Sequence, residues 1–367
     1  MKFSCTQENL KHGLLIVSRV ASKNANLPIL QNILLKASDG VVTLAATNLE
    51  IGVQVRVRGK IDEPGVFTLP AQLFTNYVSL LSTERIDCVL TGKEVHISAN
   101  GQTTVVKGEE ATDFPILPDI EQTNSYRIAK GDFELALQQT SIAAAVDESR
   151  PEIAGVCLKT KGGTMTLAAT DSYRLAERTT TLLNGDGEQT VIIPQRSAQE
   201  LLRLLQSTIA EEVTFYVNDN QFACRFADVE FVSRLVEGKF PDYEQIIPRS
   251  GQTTAHLSKE EFMKAVKGAA LFSKTGVNDI NLTFSDTSQT VQIQAANVQL
   301  GQNTTTQPAK VEGGEVTITF NYRYVLDGVQ NMAGAEVKCL LNSTMSPALF
   351  QSASDDQFAY VIMPIKQ

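Results

Sequence analysis

The side chains that could do chemistry are few and scattered. Cys5, Cys88, Cys157, Cys224 and Cys339 stand far apart, and no two form a CxxC pair for a metal or a redox couple. They read as small buried hydrophobes of a reducing compartment. His12, His96 and His256 fall in no ligand spacing, so no metal site is expected. There is no GxxxxGK[ST] phosphate loop, no GxGxxG after a strand, no GxSxG elbow and no HExxH helix. Carboxylate pairs such as Glu109-Glu110 and Asp355-Asp356 read as solvated surface. No catalytic residue and no cofactor is expected. The chemistry left is that of contact, through charge and apolar surface.

The elements that must carry those contacts repeat. Leu44-Ala45-Ala46-Thr47-Asn48 returns as Leu167-Ala168-Ala169-Thr170-Asp171 and, more weakly, as Ile293-Gln294-Ala295-Ala296-Asn297, at offsets of 123 and 126 residues. A second landmark follows each: Phe67-Thr68-Leu69-Pro70, Val191-Ile192-Ile193-Pro194 and Ile318-Thr319-Phe320-Asn321. A third, Asp113-Phe114-Pro115 and Lys239-Phe240-Pro241, opens two proline-containing polar stretches that read as linkers. The 367 residues therefore divide into three copies of about 122, at 1–120, 125–250 and 254–367.

Each copy opens with a short strand and an amphipathic helix. The buried faces are Leu10, Leu14 and Val17, then Phe133, Leu137 and Ala144, then Phe262, Val266 and Ala269. Ser258 is the expected N-cap of the third of these helices, with Glu261 at the capping-box position. Strands of alternating character follow, such as 51–57, then a second helix and further strands. The fold class is α+β: tandem domains, each with two helices packed on antiparallel sheet.

The chain carries a net charge of −9, which is unusual for a nucleic-acid binder. The six expected helices, at 7–23, 71–81, 130–147, 196–205, 258–274 and 322–332, nevertheless sum to +3. Their basic members include Lys11, Arg19, Lys23, Arg196, Arg203, Lys264 and Lys267. A weakly basic helical face suits contact with a phosphate backbone without base reading. Ordinary solvated helix faces give the same pattern, and charge alone leaves both open. No apolar run is long enough for a membrane helix, and the opening Met1-Lys2-Phe3-Ser4-Cys5 lacks a signal-peptide stretch, so a cytoplasmic location is expected.

Four segments together give a resemblance that covers essentially the whole chain. They are 167–176, the C-terminal 360–367, Leu27-Pro28-Ile29-Leu30 and Phe240-Pro241-Asp242-Tyr243. The sequence resembles the bacterial sliding clamps, the β subunits of DNA polymerase III. The resemblance implies a head-to-tail homodimer whose six domains close into a ring around duplex DNA, binding it without sequence preference. It implies a pocket for short linear peptides of the polymerase III α subunit, the clamp loader, other polymerases and mismatch-repair proteins. Carried over by position, the pocket comprises Ile153, Thr170, Ser172, Tyr173, Arg174, Leu175, Pro241, Gln245 and Ile246. The third copy adds Val277, Asn321, Tyr324, Met345, Pro347, Val361, Ile362, Met363, Pro364 and Ile365. Ring closure would set Thr104 and Val106 of one subunit against Leu271 and Phe272 of the other. Arg150 joins the basic helix residues as DNA-facing. A ligand- or protein-binding repeat scaffold without DNA is the alternative reading; an enzyme built on duplicated domains would need a polar cleft with a perturbed acid or base.

Overall fold

The computed structural model describes residues 1–21, 27–117, 124–147 and 149–366. Among them six α-helices recur in pairs: α1 (Gln7–Val17) and α2 (Ala71–Leu80), α3 (Lys130–Ser141) and α4 (Gln195–Ser207), α5 (Lys259–Ala270) and α6 (Tyr322–Gln330). Every pairing between named strands is antiparallel, both in hairpins and between strands far apart in the chain.

The first helix of each pair is shorter than its periodicity predicts, ending at Val17, Ser141 and Ala270. The apolar pattern runs on because the chain tightens into i→i+3 turns. The N–H of Val20 donates to the Val17 carbonyl, that of Ala143 to Thr140 and that of Phe272 to Ala269. Val20 and Ala144 thus reach the core without α-helix. With the observed limits the six helices carry a net +1 rather than +3, because Arg19, Lys23, Asp147 and Lys274 fall outside them. Ser258 does cap α5, its hydroxyl accepting from the Glu261 N–H.

The chain forms two compact units, and their boundary runs through the middle copy. The first unit comprises Met1–Lys130, Leu183–Gly185 and Glu200–Leu235. It holds one twelve-stranded sheet. From one end the path runs through Gln102–Lys107, Glu94–Ala99, Arg85–Thr91, Lys2–Thr6 and the long strand Ile51–Glu63. It continues through Val229–Arg234, Gln221–Phe226, Glu212–Val217 and Ser125–Ala129. The long strand joins the copies: Ile51 to Val55 pair with Ser233 to Val229. Gly13 lets α1 lie close on this sheet, since a Cβ there would sit 2.7 Å from a Val57 methyl.

The second unit comprises Gly131–Leu182, Asp186–Gln199 and Val236–Gln367. Its nine-stranded sheet joins the other half of the middle copy to the third copy, through Arg174–Thr181 against Phe358–Ile362. A separate four-stranded sheet ends on Gly301–Pro308, which pairs only with Thr290–Asn297. The second linker is structural. Phe240 and Tyr243 are buried with ring centroids 5.8 Å apart, in a core with Leu175, Leu349 and Val361 that spans both copies.

Candidate functional site

The repeated Leu-Ala-Ala-Thr-Asn/Asp motif is a turn that launches the joining strand. In the middle copy Asp171 Oδ1 accepts from the N–H groups of Tyr173 and Arg174, at 2.9 and 3.0 Å. Thr170 Oγ1 accepts from the Ser172 N–H and donates to the Arg174 carbonyl. Ser172 takes the left-handed φ of 76° that the reversal requires. The first copy repeats the device, with Asn48 Oδ1 accepting from Glu50 and Ile51 and with Leu49 also at φ 76°. In the third copy Asn297 Oδ1 accepts from the Gln299 N–H.

This turn delivers Tyr173 outward, 64% exposed, and Arg174 inward. The Arg174 guanidinium is bound on three sides. Nε donates to Asp171 Oδ2 at 3.0 Å, and Nη1 donates to Asp327 Oδ2 at 2.5 Å and to the Tyr360 hydroxyl at 3.3 Å. It also lies 4.5 Å from the centroid of the Tyr324 ring. Burial opposes its charge, but the Tyr360 hydroxyl and the two carboxylates outweigh burial and hold its pKa above the ordinary value. Gly328 in α6 makes room for this arrangement, since a Cβ there would overlap the Tyr360 ring. Beyond the last strand the Met363 N–H donates to the Tyr173 carbonyl and the Ile365 N–H to the Thr319 carbonyl. Residues 363–365 are thereby fastened beside Arg174 and the end of strand Val316–Asn321.

The proposed pocket residues all fall in the second unit. Tyr173, Ile246, Val277 and Met345 are large apolar side chains left exposed, and Ser172 and Gln245 are exposed with them. Thr170, Pro241, Tyr324, Pro347, Met363, Pro364 and Ile365 are half-buried. Four residues differ from the expectation of a lining: Ile153, Leu175, Val361 and Ile362 are buried. They sit on the inner faces of their elements and back the wall. Asn321 caps α6 by accepting from the Arg323 N–H, which leaves its amide nitrogen for other contacts.

The basic residues are less available than the sequence suggests. Arg203 is held by Glu200 and by the Ile16 carbonyl, Lys264 by Glu260, and Arg150 by Glu152 and the Ser172 hydroxyl. Lys11 is half-buried; Arg19, Arg196 and Lys267 are exposed, and Lys23 lies outside the described residues.

Of the expected interface residues, Leu271 is 72% exposed, Thr104 and Phe272 are half-buried and Val106 is buried in its own unit. Val105, Val298 and Leu300 are further large apolar side chains left exposed. The third turn is one residue longer than the others, so Gly301, at the start of its strand, stands where Ile51 and Arg174 stand, and Leu300 lies in the turn.

Among the described residues no three His, Cys, Asp or Glu side chains gather as a metal cage, and all five cysteines are buried and free. No helix there is long and apolar enough to cross a membrane.

Three family models cover the chain end to end: the N-terminal domain of the DNA polymerase III β subunit at residues 1–118, its central domain at 123–242 and its C-terminal domain at 244–366. The β sliding clamps of Pseudomonas aeruginosa and Bacillus subtilis are 29% and 26% identical, each alignment covering 100% of both chains. The crystal structure of the P. aeruginosa β subunit superposes with a TM-score of 0.95 at 28% identity over 100% of both chains. The same relative has been crystallised bound to griselimycin, with the same TM-score, identity and coverage. With its repeats, its turn motif and its joined sheets matched along the whole length, this chain belongs to the DNA polymerase III β subunit family, the bacterial sliding clamps.

Proposed function

We propose that the chain works as a DNA sliding clamp and processivity factor: a head-to-tail homodimer whose six domains encircle duplex DNA and tether other proteins to it, with no catalysis of its own. The observation that carries this reading is how the chain joins its own copies. Twice, the strand launched by the repeated turn pairs antiparallel with the last strand of the next copy, as Ile51–Val55 with Val229–Ser233 and as Arg174–Arg178 with Phe358–Ile362. A third set of the same parts has no mate among the described residues: Gly301–Pro308 is launched by the third turn, and Gln102–Lys107 is the last strand of the first copy. Two such chains joined head to tail satisfy both sets. An exposed sheet edge left open is otherwise an aggregation hazard.

The repeat also supplies the register. Thr47 pairs back with Gly52 and Thr170 with Leu175, but Ala296 pairs with Gln302, one position later, so Gly301 takes the place of Ile51 and Arg174 and lies opposite Val106 of the other subunit. Asn303 then faces Thr104, and Thr305 faces Gln102. The corresponding core-side pairs of the first internal junction are Val53 with Phe231 and Val55 with Val229. The seam between subunits is therefore the more polar joint, weaker per residue than the joints within a chain. That suits a ring that must be opened for loading. The expected contacts of Leu271 and Phe272, at the end of α5, flank this seam.

A helix charge of only +1 suits mobility on DNA, since few phosphate contacts mean weak holding. The Arg174 region is the proposed peptide site, with Tyr173, Ile246, Val277 and Met345 as apolar contacts for leucine and aromatic anchors. The polymerase III α subunit, the clamp loader, other polymerases and mismatch-repair proteins are the partners the family resemblance implies.

The test is topological. The protein is loaded by a clamp loader with ATP onto nicked circular DNA, isolated at raised salt, and the DNA is then linearised. Retention on the circle and loss from the linear form are expected. Failure to survive on the circle with a competent loader overturns the proposal.

A further inference from the structure

The joint between the second and third copies contains a buried arginine network, whereas the first joint has apolar residues at the equivalent positions and carries its polar contacts, Arg56 with Glu230 and Arg203 with the Ile16 carbonyl, nearer the surface. Arg178 is buried, its side chain 7% exposed. Its Nη1 donates to Asp355 Oδ2 at 2.7 Å and to Gln139 Oε1 at 2.8 Å, and its Nη2 donates to Gln357 Oε1 at 3.4 Å. Gln139 in turn donates through Nε2 to the carbonyl of Asn331, at the C-terminus of α6. The chain of bonds therefore links four elements: α3, the strand Arg174–Thr181, the turn before the strand Phe358–Ile362, and α6.

Those elements, α3 excepted, also carry the proposed peptide site. The strand Arg174–Thr181 begins with Arg174, α6 supplies Tyr324 and Asp327, and the strand Phe358–Ile362 leads into Met363, Pro364 and Ile365. None of Arg178, Gln139 or Asp355 belongs to that site.

The network is not what a sheet joint requires. By the repeat, Val55 stands where Arg178 stands and Ile16 where Gln139 stands. The first joint forms with those apolar residues and keeps the same main-chain bond beside them: Arg56 N–H to the Asp228 carbonyl there, Thr179 N–H to the Gln357 carbonyl here, both 3.0 Å. Stability is a poor account of the network as well. The Arg178 Nε is buried without an acceptor, and a buried ion pair with a donor left over adds little over an apolar isostere. What such a pair does fix is geometry.

We infer that Arg178 is a positioning residue for partner binding: with Gln139 and Asp355 it sets the spacing of the three elements that hold the peptide. This rests on the reading of the Arg174 region as the peptide site. Loosening the network lets the walls shift, which acts on how long a bound peptide stays more than on how fast it arrives.

The experiment uses the full-length dimer and a short fluorescein-labelled peptide with leucine and phenylalanine anchors, followed by anisotropy and by stopped-flow dissociation. The paired variant Arg178→Met with Asp355→Asn leaves no buried charge and keeps an acceptor for the Gln357 N–H, which now donates to Asp355 Oδ1. It is expected to bind about tenfold more weakly, through faster dissociation, with its dimer mass and melting temperature close to those of the parent. Arg178→Lys, which retains the charge but cannot serve Asp355 and Gln139 together, is expected to fall between. A parent protein that does not bind the peptide overturns the reading of the site. A parent that binds, with a folded paired variant that binds within twofold and dissociates at the same rate, overturns the inference alone. If the paired variant does not fold, Arg178→Lys decides: unchanged dissociation in a folded dimer overturns the inference.

Discussion

Leu300 offers the most direct test of the seam between subunits. In the isolated chain its side chain is 62% exposed, and the register derived from the repeat sets the next residue, Gly301, against Val106 of the other subunit, which leaves Leu300 in the turn at the end of the seam. Leu300→Ala removes the equivalent of three methylene groups, about 2.4 kcal/mol at full burial. Because part of the side chain is already covered within its own unit, the loss on dimerisation is nearer about 1.5 kcal/mol per seam. A ring of two subunits has two seams, and separating the subunits breaks both. The dimer dissociation constant should rise by about 3 kcal/mol, or somewhat over a hundredfold. Sedimentation velocity over a concentration series reads this directly. Leu80→Ala is the control, since Leu80 is 80% exposed on α2 and takes no part in the seam. A shift of less than about threefold for Leu300→Ala, or an equal shift for Leu80→Ala, would refute the placing of this turn at the seam.

Other perturbations reach different parts of the argument. Thr104→Cys with Asn303→Cys should give a covalent dimer on a non-reducing gel, whereas Thr104→Cys with Gln302→Cys, whose side chains point to opposite faces, should not. The native thiols stay silent in that assay because all five are buried, and burial lifts Cys5 and Cys157 to about 12. Arg174→Ala leaves Asp171 and Asp327 without their shared cation, and calorimetry should find peptide binding weakened about thirtyfold. Unchanged affinity would remove Arg174 from the site. Burial holds the Glu177 carboxyl above its ordinary value, against the opposing pull of the Tyr243 hydroxyl and Lys159. A carboxyl whose folded pKa is raised costs stability above that pKa, and the cost vanishes below its unfolded value of about 4.3. Glu177→Gln should therefore raise the melting temperature at neutral pH, with the gap closing as the pH approaches 4. A gap that does not change with pH would show that the carboxyl is not the cause.

Local chemistry carried far in the sequence. The motif ending in Asn48, Asp171 and Asn297 is legible because one side chain makes the turn by itself, whatever surrounds it. The caps Ser258 and Asn321 are local in the same way. Helix ends were not legible, because Val20 and Ala144 keep the apolar rhythm going in turns that are no longer α-helical. The charge of the helical face was overstated for a related reason. A count of lysines and arginines cannot see that Arg203 and Lys264 each have a carboxylate at their side. The joining of sheets across copies was hidden too, since an edge strand looks the same in sequence whether its partner lies in the same chain or in another. Arg178 was hidden most completely. It reads as a solvated strand residue, and only the fold brings Asp355 and Gln139 to it from far along the chain.

The joints between copies are made by main-chain groups, and every amino acid but proline supplies the same donor and acceptor. Mutational drift can therefore replace the side chains along these strands almost freely while the architecture passes unchanged from lineage to lineage. The low identity of this chain to relatives with nearly superimposable backbones is what such a joint permits. The exception is also set by the joint. A proline arising within Gln102–Lys107 or Gly301–Thr306, where its missing N–H falls on the seam, would be purged however distant the species, because no neighbouring side chain can restore the lost bond.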